Sequence, residues 1–121
     1  MKTFLIIDDS MVMRTVLRYM LERCGHKVLA EGKDRDEEAE LAARLNPDAI
    51  VAGVTLRGET GFPELPGLRN SGWSGKVFAA VTGGIATEEN AAHGAGVDGI
   101  LTKPFVLDQV EGEVKRVMGR E

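Results

Sequence analysis

The sequence is poor in cysteine and in long apolar runs. Cys24 is the only cysteine among 121 residues, which excludes a disulfide framework and a cysteine-based zinc site and fits a reducing compartment. No run approaches the roughly 18 apolar residues of a membrane span, and the N-terminus lacks the length and cleavage site of a signal peptide. We therefore expect a cytoplasmic location and no membrane partner.

The chain also lacks an excess of positive charge. Fifteen Lys and Arg residues stand against nineteen Asp and Glu residues, the net charge is −4, and both signs are mixed along the sequence. Nucleic-acid binding requires a basic stripe, so we expect no nucleic-acid partner. The length, with 43% hydrophobic content, suits one domain with its own core. We assign residues 1–121 to that single domain, with no output domain.

Short apolar runs alternate with longer amphipathic segments. This alternation is typical of repeated strand and helix units around a parallel sheet. The strands are predicted at residues 3–7, 27–30, 49–53, 76–81 and 98–101. The helices are predicted at residues 10–24, 34–45, 61–70, 86–94 and 106–118. Ser10 is placed to cap the first helix and Gly25 to end it.

Two acidic residues stand directly after the first predicted strand. Asp8 and Asp9 follow an apolar run. Two charges about 4 Å apart repel by ~1 kcal/mol in water and by more where water is scarce, so this pair needs a cation nearby. One acid could simply cap the first helix. Paired carboxylates with loop carbonyls also form the hard oxygen site that Mg²⁺ prefers.

Two further strand ends carry polar residues. In an open parallel sheet, functional residues gather beyond the carboxyl ends of the strands. Thr82 follows the fourth strand beside Gly83 and Gly84, whose amides we expect to be open to an anion, so it suits one oxygen of a phosphoryl group. Lys103, which Pro104 follows, is the candidate for the positive charge beside the acidic pair. A plain surface lysine is the alternative.

The residues at these strand ends resemble the receiver domain of response regulators in two-component systems, the chemotaxis-regulator type in particular. Two acids, a hydroxyl and Lys103-Pro104 occur in the family's order and spacing over residues 3–118. The resemblance implies an α/β fold with five helices around a doubly wound, flavodoxin-like parallel sheet of five strands in the order 2-1-3-4-5. It also implies phosphoryl transfer from a histidine kinase to an aspartate that ends the third strand, with Mg²⁺ held by the acidic pair.

The family's phosphoacceptor is missing from this sequence. Alignment from Pro47-Asp48 to Gly61 without insertion or deletion places Gly53 at the acceptor aspartate. Glycine offers neither a side-chain nucleophile nor a metal ligand. Glu59 lies in a loop and Asp48 at the opposite end of the strand, so we do not expect either to accept a phosphoryl group.

The resemblance assigns roles to the other strand-end residues. It implies a weakened Mg²⁺ site at the acidic pair with the backbone of Thr55, because fewer charged ligands bind Mg²⁺ less tightly. Thr82 and Lys103 take the phosphate-binding and switch positions. Ile100 stands where the family has an aromatic switch residue, and a branched side chain cannot swing as a ring does.

These residues predict a stand-alone receiver-like module that is not an enzyme and binds a protein partner without aspartate phosphorylation. The partner is a histidine kinase or a downstream target, and the expected surface is the fourth helix, fifth strand and fifth helix. The oligomeric state is left open. The alternative is a conventional phosphorylatable receiver whose acceptor has been replaced by Gly53, although Arg57 and Thr60 also depart from the family pattern. A small metal-dependent hydrolase is a third candidate, but it lacks an activated nucleophile.

Other signals are interpreted as structural. Residues 94–99 match the pattern G-x-G-x-x-G, but a predicted helix precedes them and a strand follows, which is the reverse of a dinucleotide site. Trp73 lies in the loop before the fourth predicted strand, at the end of the sheet remote from the acids, and we expect its side chain to be partly anchored in the core. His26 and His93 lack partners at metal-ligand spacing, and Cys24 is expected to pack on the first helix.

Overall fold

The computed structural model describes residues 1–119. Strands and helices follow one another in the order β1 (Thr3–Ile7), α1 (Met11–Arg23), β2 (Lys27–Gly32), α2 (Arg35–Leu45), β3 (Ala49–Gly53), β4 (Thr55–Leu56), β5 (Glu59–Thr60), α3 (Leu65–Asn70), β6 (Lys76–Thr82), α4 (Ala86–Gly94), β7 (Gly99–Lys103) and α5 (Leu107–Met118). Within this part of the chain, no helix is long and apolar enough to cross a bilayer.

The main sheet confirms the predicted fold class. Its five strands are parallel and lie in the order β2-β1-β3-β6-β7, which is the predicted order 2-1-3-4-5 when only these five strands are counted. Every residue of β3 is buried, as expected for a central strand covered on both faces. The carboxyl ends of β1, β3, β6 and β7 therefore meet at one edge of the sheet.

Helices cover both faces of the sheet. Alternate residues of a strand point to opposite faces, so Leu5 packs with one cluster of buried side chains and Phe4 with the other. The first cluster includes apolar residues of α2, α3 and α4, and the second includes residues of α1 and α5. The result is the doubly wound arrangement that the sequence predicts.

The ends of α1 also agree with the sequence. The Ser10 hydroxyl accepts a hydrogen bond of 3.3 Å from the backbone N–H of Met13, so Ser10 is the N-cap. Gly25 follows the helix with a φ of +87°, a conformation that glycine adopts without steric cost.

The prediction of a helix over residues 61–70 is wrong in its first part. The helix α3 spans only Leu65–Asn70, and β4 and β5 form an antiparallel hairpin just before it. Arg57 and Gly58, at the hairpin turn, both have positive φ values, +52° and +81°, as a tight two-residue turn requires. Pro63 also disfavours helical geometry in the residue before it, which delays the start of α3.

Candidate functional site

Asp8 and Lys103 form an ion pair at the carboxyl edge of the sheet. Asp8 directly follows β1, and its side chain is buried, with the residue only 4% exposed. The Lys103 Nζ lies 2.6 Å from Asp8 Oδ2. The backbone N–H of Ser10 donates a 2.9 Å hydrogen bond to the other oxygen, Oδ1. Lys103 therefore supplies the positive charge that the sequence requires near the acids.

Asp9 has a different environment from Asp8. It is exposed, and its Oδ2 accepts a hydrogen bond of 2.9 Å from the backbone N–H of Arg57. Arg57 is the first residue of the hairpin turn between β4 and β5. Asp9 thus connects the end of β1 to the hairpin, and the two acids of the pair have separate partners.

Gly53 ends β3 beside the Asp8 carboxylate. A Cβ atom placed on Gly53 would lie 3.1 Å from Asp8 Oδ2 and 3.1 Å from Leu56 Cδ2. These contacts are tight, so a side chain here requires its neighbours to move by a few tenths of an ångström. Any carboxylate at position 53 would therefore stand against the carboxylate of Asp8.

Thr82 and Lys103 are register partners on neighbouring strands, as the last residues of β6 and β7. The sequence predicts both residues just beyond their strands, but each strand is longer than predicted. The sequence predicts that the amide of Gly83 is open to an anion. This prediction is wrong, because the amide donates a hydrogen bond of 3.2 Å to the carbonyl of Lys103. The backbone N–H of Thr82 instead donates a 2.6 Å hydrogen bond to Oε1 of Glu88.

Glu88 lies in the first turn of α4, and the sequence did not single it out. Its pKa is lowered: desolvation raises the pKa, but hydrogen bonds from the Thr82 backbone and from the hydroxyls of Thr55 and Thr82 lower it more, together with the charge of Lys103. The carboxylate of Glu88 therefore contacts Thr82, which the sequence assigned to a phosphoryl oxygen.

Arg35 is a second residue that sequence reasoning missed. Its guanidinium donates to the backbone carbonyls of Gly53 and Gly61, both at 2.7 Å, and to that of Val54 at 3.3 Å. It also stacks on the Phe62 ring, at 4.9 Å from the ring centroid. A single side chain at the start of α2 thus holds both ends of the hairpin segment. Nothing in the local sequence distinguishes this arginine from a solvated one.

Two buried carboxyl groups complete the surroundings of Arg35. Its Nη1 lies 3.2 Å from Glu38 Oε1 and 3.4 Å from Glu64 Oε2. The other oxygens, Glu38 Oε2 and Glu64 Oε1, are buried and have no hydrogen-bond partner among residues 1–119. Burial and the nearby carboxylate of Glu64 raise the pKa of Glu38 well above its usual value. A protonated Glu38 carries an O–H group that can donate a hydrogen bond to the Glu64 carboxylate.

Glu38 carried a signal in the sequence. It lies three, four and seven residues before Leu41, Ala42 and Leu45, all apolar, and this spacing puts it on the buried face of α2. A charged residue on such a face requires an internal partner.

A cavity of about 700 Å³ lies between the start of α2 and the hairpin. Its lining consists of Asp34, Arg35, Asp36, Leu56, Arg57, Glu59, Thr60, Gly61, Phe62 and Pro63. Arg57, whose backbone N–H donates to Asp9, lines the cavity, whereas Asp8 and Lys103 are not among its lining residues.

The remaining candidates lie as follows. Ile100 is half-buried in β7, and its N–H donates to Glu113 Oε2 at 2.8 Å. Glu59 is exposed in β5. Asp48 accepts hydrogen bonds of 2.8 and 3.0 Å from the backbone N–H and hydroxyl of Thr3, at the amino end of β3 and away from Gly53.

The signals interpreted as structural behave as such. The helix α4 ends at Gly94 and β7 begins at Gly99, so the glycine pattern follows a helix and precedes a strand. Trp73 is buried and donates to the Pro47 carbonyl at 2.9 Å. Cys24 is half-buried just after α1, and burial raises the pKa of its thiol.

The acidic pair fits a magnesium ion only in part. Carboxylates are hard oxygen donors, and Mg²⁺ is commonly held by one or two of them together with waters. Asp8 and Asp9 satisfy this minimum, but Asp8 is already paired with Lys103 and Asp9 with the Arg57 amide. No group of three or more His, Cys, Asp or Glu residues poised for a metal occurs in residues 1–119.

Comparison with known families and proteins gives a consistent result. The family described as "Response regulator receiver domain" matches residues 4–115. The chain is 32% identical over 100 residues to the nitrate/nitrite response regulator protein NarP of Escherichia coli, covering 82% of this chain and 46% of that protein. It is 27% identical to Protein CcdB of Bacillus subtilis, covering 98% of this chain and 99% of that protein.

The length of the match differs between relatives. The response regulator MprA of Mycobacterium leprae is 29% identical over 96% of this chain and 50% of its own length. The chain thus spans about half the length of NarP and MprA, and nearly all of Protein CcdB.

Solved structures share the fold. A putative response regulator from Chloroflexus aurantiacus superimposes with a TM-score of 0.85 at 24% identity, over 98% of both chains. The receiver domain of a sensor histidine kinase from Pseudomonas aeruginosa, with a magnesium ion coordinated in its active site cleft, gives a TM-score of 0.84 at 23% identity, over 98% of both chains.

Proposed function

Because the chain belongs to the response regulator receiver domain family of two-component signalling, we propose that it is a receiver module that acts by binding a protein partner and accepts no phosphoryl group. The observation that carries this proposal is Gly53. It ends β3 beside Asp8, and this location supports the proposal that it occupies the family's acceptor position. The family is a signalling family, and the proposed module turns over no substrate.

The chemistry of position 53 supports the absence of phosphorylation. An acyl phosphate forms when a carboxylate attacks the phosphoryl donor, and glycine has no such group. The substitutes considered from the sequence are poorly placed. Asp48 is hydrogen-bonded to Thr3 at the other end of β3, and Glu59 is in the exposed strand β5 of the hairpin.

We further propose that Mg²⁺ binds weakly at Asp8 and Asp9 with the backbone carbonyl of Thr55. A bound Mg²⁺ would supply positive charge to this edge of the sheet. Asp8, Asp9 and Lys103 carry a formal charge of −1 together, whereas a third carboxylate at position 53 would make it −2. Fewer charged ligands lower the affinity for the ion, and Lys103 already neutralises Asp8.

The proposed partner surface is formed by α4, β7 and α5. The partner is a histidine kinase or a downstream target protein in the cytoplasm. Two large apolar side chains are exposed where this surface meets the carboxyl edge of the sheet: Ile85, 43% exposed just before α4, and Val106, 49% exposed just before α5. Exposed apolar groups at the start of both helices suit a protein partner better than a small polar ligand.

Incubation with acetyl phosphate and Mg²⁺ tests the loss of phosphorylation. We expect the intact mass of the protein to stay unchanged, because Gly53 has no nucleophile. A mass increase of one phosphoryl group, stable to acid and labile to base, would overturn the proposal. The Gly53→Asp variant is the comparison: its phosphorylation would show that the rest of the site still supports the reaction.

Site-specific photo-crosslinking tests the partner surface. A crosslinking amino acid at Ile85 or Val106, in cells that express the protein, should give a discrete protein adduct. Tyr19, which is 59% exposed on α1, is the control position on a different helix. Equal adducts at Tyr19 and at the two surface positions would contradict the assignment of this surface.

A further inference from the structure

The Glu88 side chain reaches back across the turn that joins β6 to α4. Its Oε1 accepts a hydrogen bond of 2.6 Å from the backbone N–H of Thr82. This distance is at the short end for a charge-assisted hydrogen bond. Glu88 itself belongs to the first turn of α4, whose N-cap is Ile85. The contact therefore fixes the start of α4 to the end of β6.

Other donors surround the same carboxylate. The hydroxyls of Thr55 and Thr82 and the charge of Lys103 act on it and lower its pKa. The Thr55 hydroxyl also shares a 2.9 Å hydrogen bond with the Thr60 hydroxyl, and the Lys103 Nζ pairs with Asp8. Thr55 belongs to β4, just after Gly53, and Thr82 and Lys103 are register partners at the ends of β6 and β7. The carboxylate thus contacts the end of β6 directly, and groups of β4 and β7 act on its pKa.

These donors define an anion-binding site. Hydroxyls, a backbone N–H and a lysine are the groups that bind a phosphoryl oxygen or a free oxyanion. Gly53 contributes no carboxylate that could carry a phosphoryl group into this site. Glu88 is the acid that fills it.

We propose that the Glu88 carboxylate is the built-in occupant of an anion-binding site formed by Thr55, Thr82 and Lys103, and that it holds the start of α4 against β6 in place of a phosphoryl group. This inference rests on the proposed function, because an internal anion has this role only when position 53 stays unphosphorylated. It implies that the α4 end of the partner surface is set permanently by the sequence.

A simpler explanation is that Glu88 only stabilises the start of a helix, as acids in a first turn do. Glu89 separates the two explanations. It lies in the same turn and is exposed, so it experiences the same helix dipole. If Glu88 acts only through the dipole, Glu88→Ala and Glu89→Ala should have equal effects.

Titration with inorganic phosphate, followed by backbone amide NMR, tests the proposal. In Glu88→Ala the site is vacated, so phosphate should produce saturable shifts at the Thr55 and Thr82 amides, with an affinity about tenfold above that of the unmodified protein. Glu89→Ala should bind phosphate no better than the unmodified protein. Equal phosphate affinity in Glu88→Ala and Glu89→Ala would overturn the proposal.

A second variant keeps the test decisive if Glu88→Ala does not fold. Glu88→Gln keeps the shape and one acceptor oxygen but removes the charge, so phosphate should compete with it more readily than with Glu88. Phosphate affinity unchanged from the unmodified protein would again overturn the proposal. Acetyl phosphate is used on the same samples: a covalent adduct refutes the proposed function, whereas failure of the phosphate titration alone refutes only the role of Glu88.

Discussion

The guanidinium of Arg35 donates a hydrogen bond of 2.7 Å to the backbone carbonyl of Gly53. The same side chain donates to Gly61 at 2.7 Å, so one residue of α2 anchors the end of β3 and the far side of the hairpin. The position of Gly53 therefore depends on a contact from a different element. Arg35 is a positioning residue for the segment that carries the proposed site.

Arg35→Lys should destabilise the protein by about 2 kcal/mol. A lysine cannot bridge separate carbonyls as the planar guanidinium does, and buried carbonyls and carboxylates left without donors cost about 1–3 kcal/mol. Urea unfolding measures the loss, and hydrogen exchange should quicken over residues 53–61. Arg44→Lys is the control: Arg44 is 60% exposed, and its replacement should change stability by less than about 0.5 kcal/mol. Equal losses in both variants would contradict the role of Arg35.

Glu38→Gln should make stability less dependent on pH. The pKa of Glu38 is higher in the folded protein than its value of 4.5 in the unfolded chain. The stabilisation from such a group is fully present below the unfolded pKa and is lost as the pH rises through the folded pKa. The stability of Glu38→Gln relative to the unmodified protein should therefore rise with pH. Urea midpoints measured across pH check this result.

Glu40→Gln is the matched control for Glu38→Gln. Glu40 lies two residues along the same helix, and its side chain is 68% exposed. Its stability difference from the unmodified protein should stay nearly constant over the same pH range. If the two variants gave parallel curves, Glu38 would not be protonated in the folded protein.

The sequence predicts most of the fold because strand and helix positions depend on local apolar pattern. The continuous apolar runs of β1, β3 and β6 indicate strands that are buried on both faces, and their order follows from the resemblance. The predicted third helix begins too early because the apolar pattern does not reveal the hairpin that precedes it. The hairpin depends on the positive φ values of Arg57 and Gly58. Because arginine rarely adopts a positive φ, the sequence does not predict a turn at this position.

The sequence predicts only those site residues whose positions follow from the topology of the sheet. Asp8, Thr82 and Lys103 meet because parallel strands end at one edge. Arg35 and Glu88 are missed because their roles depend on how far a long side chain reaches across a turn or between elements. Such contacts have no fixed spacing in the sequence.

Lys103→Met should destabilise the protein by about 2 kcal/mol at neutral pH. The substitution leaves the buried Asp8 carboxylate without its cation, and breaking a buried ion pair costs about 3–5 kcal/mol. We expect a smaller loss because the Lys103 side chain is 21% exposed. The double variant Asp8→Asn with Lys103→Met should recover part of the loss, which a double-mutant cycle in urea measures.

Lys115→Met is the control for this cycle. Lys115 pairs with Glu111 on the surface of α5 and is 58% exposed, so its loss should cost less than about 1 kcal/mol. Strictly additive effects at Asp8 and Lys103 would show that their ion pair contributes nothing to stability.

Gly53→Asp should make the stability of the protein depend on Mg²⁺. The new carboxylate stands against Asp8, since a Cβ at this position lies 3.1 Å from Asp8 Oδ2, and like charges at this range destabilise each other. Mg²⁺ binds such carboxylates, so it should stabilise this variant by about 1 kcal/mol, or about 3–6 °C in Tm. Gly53→Asn has nearly the same size without the charge and should respond little. Equal thermal shifts with Mg²⁺ in both variants would show that a third carboxylate at position 53 adds nothing to Mg²⁺ binding at this edge.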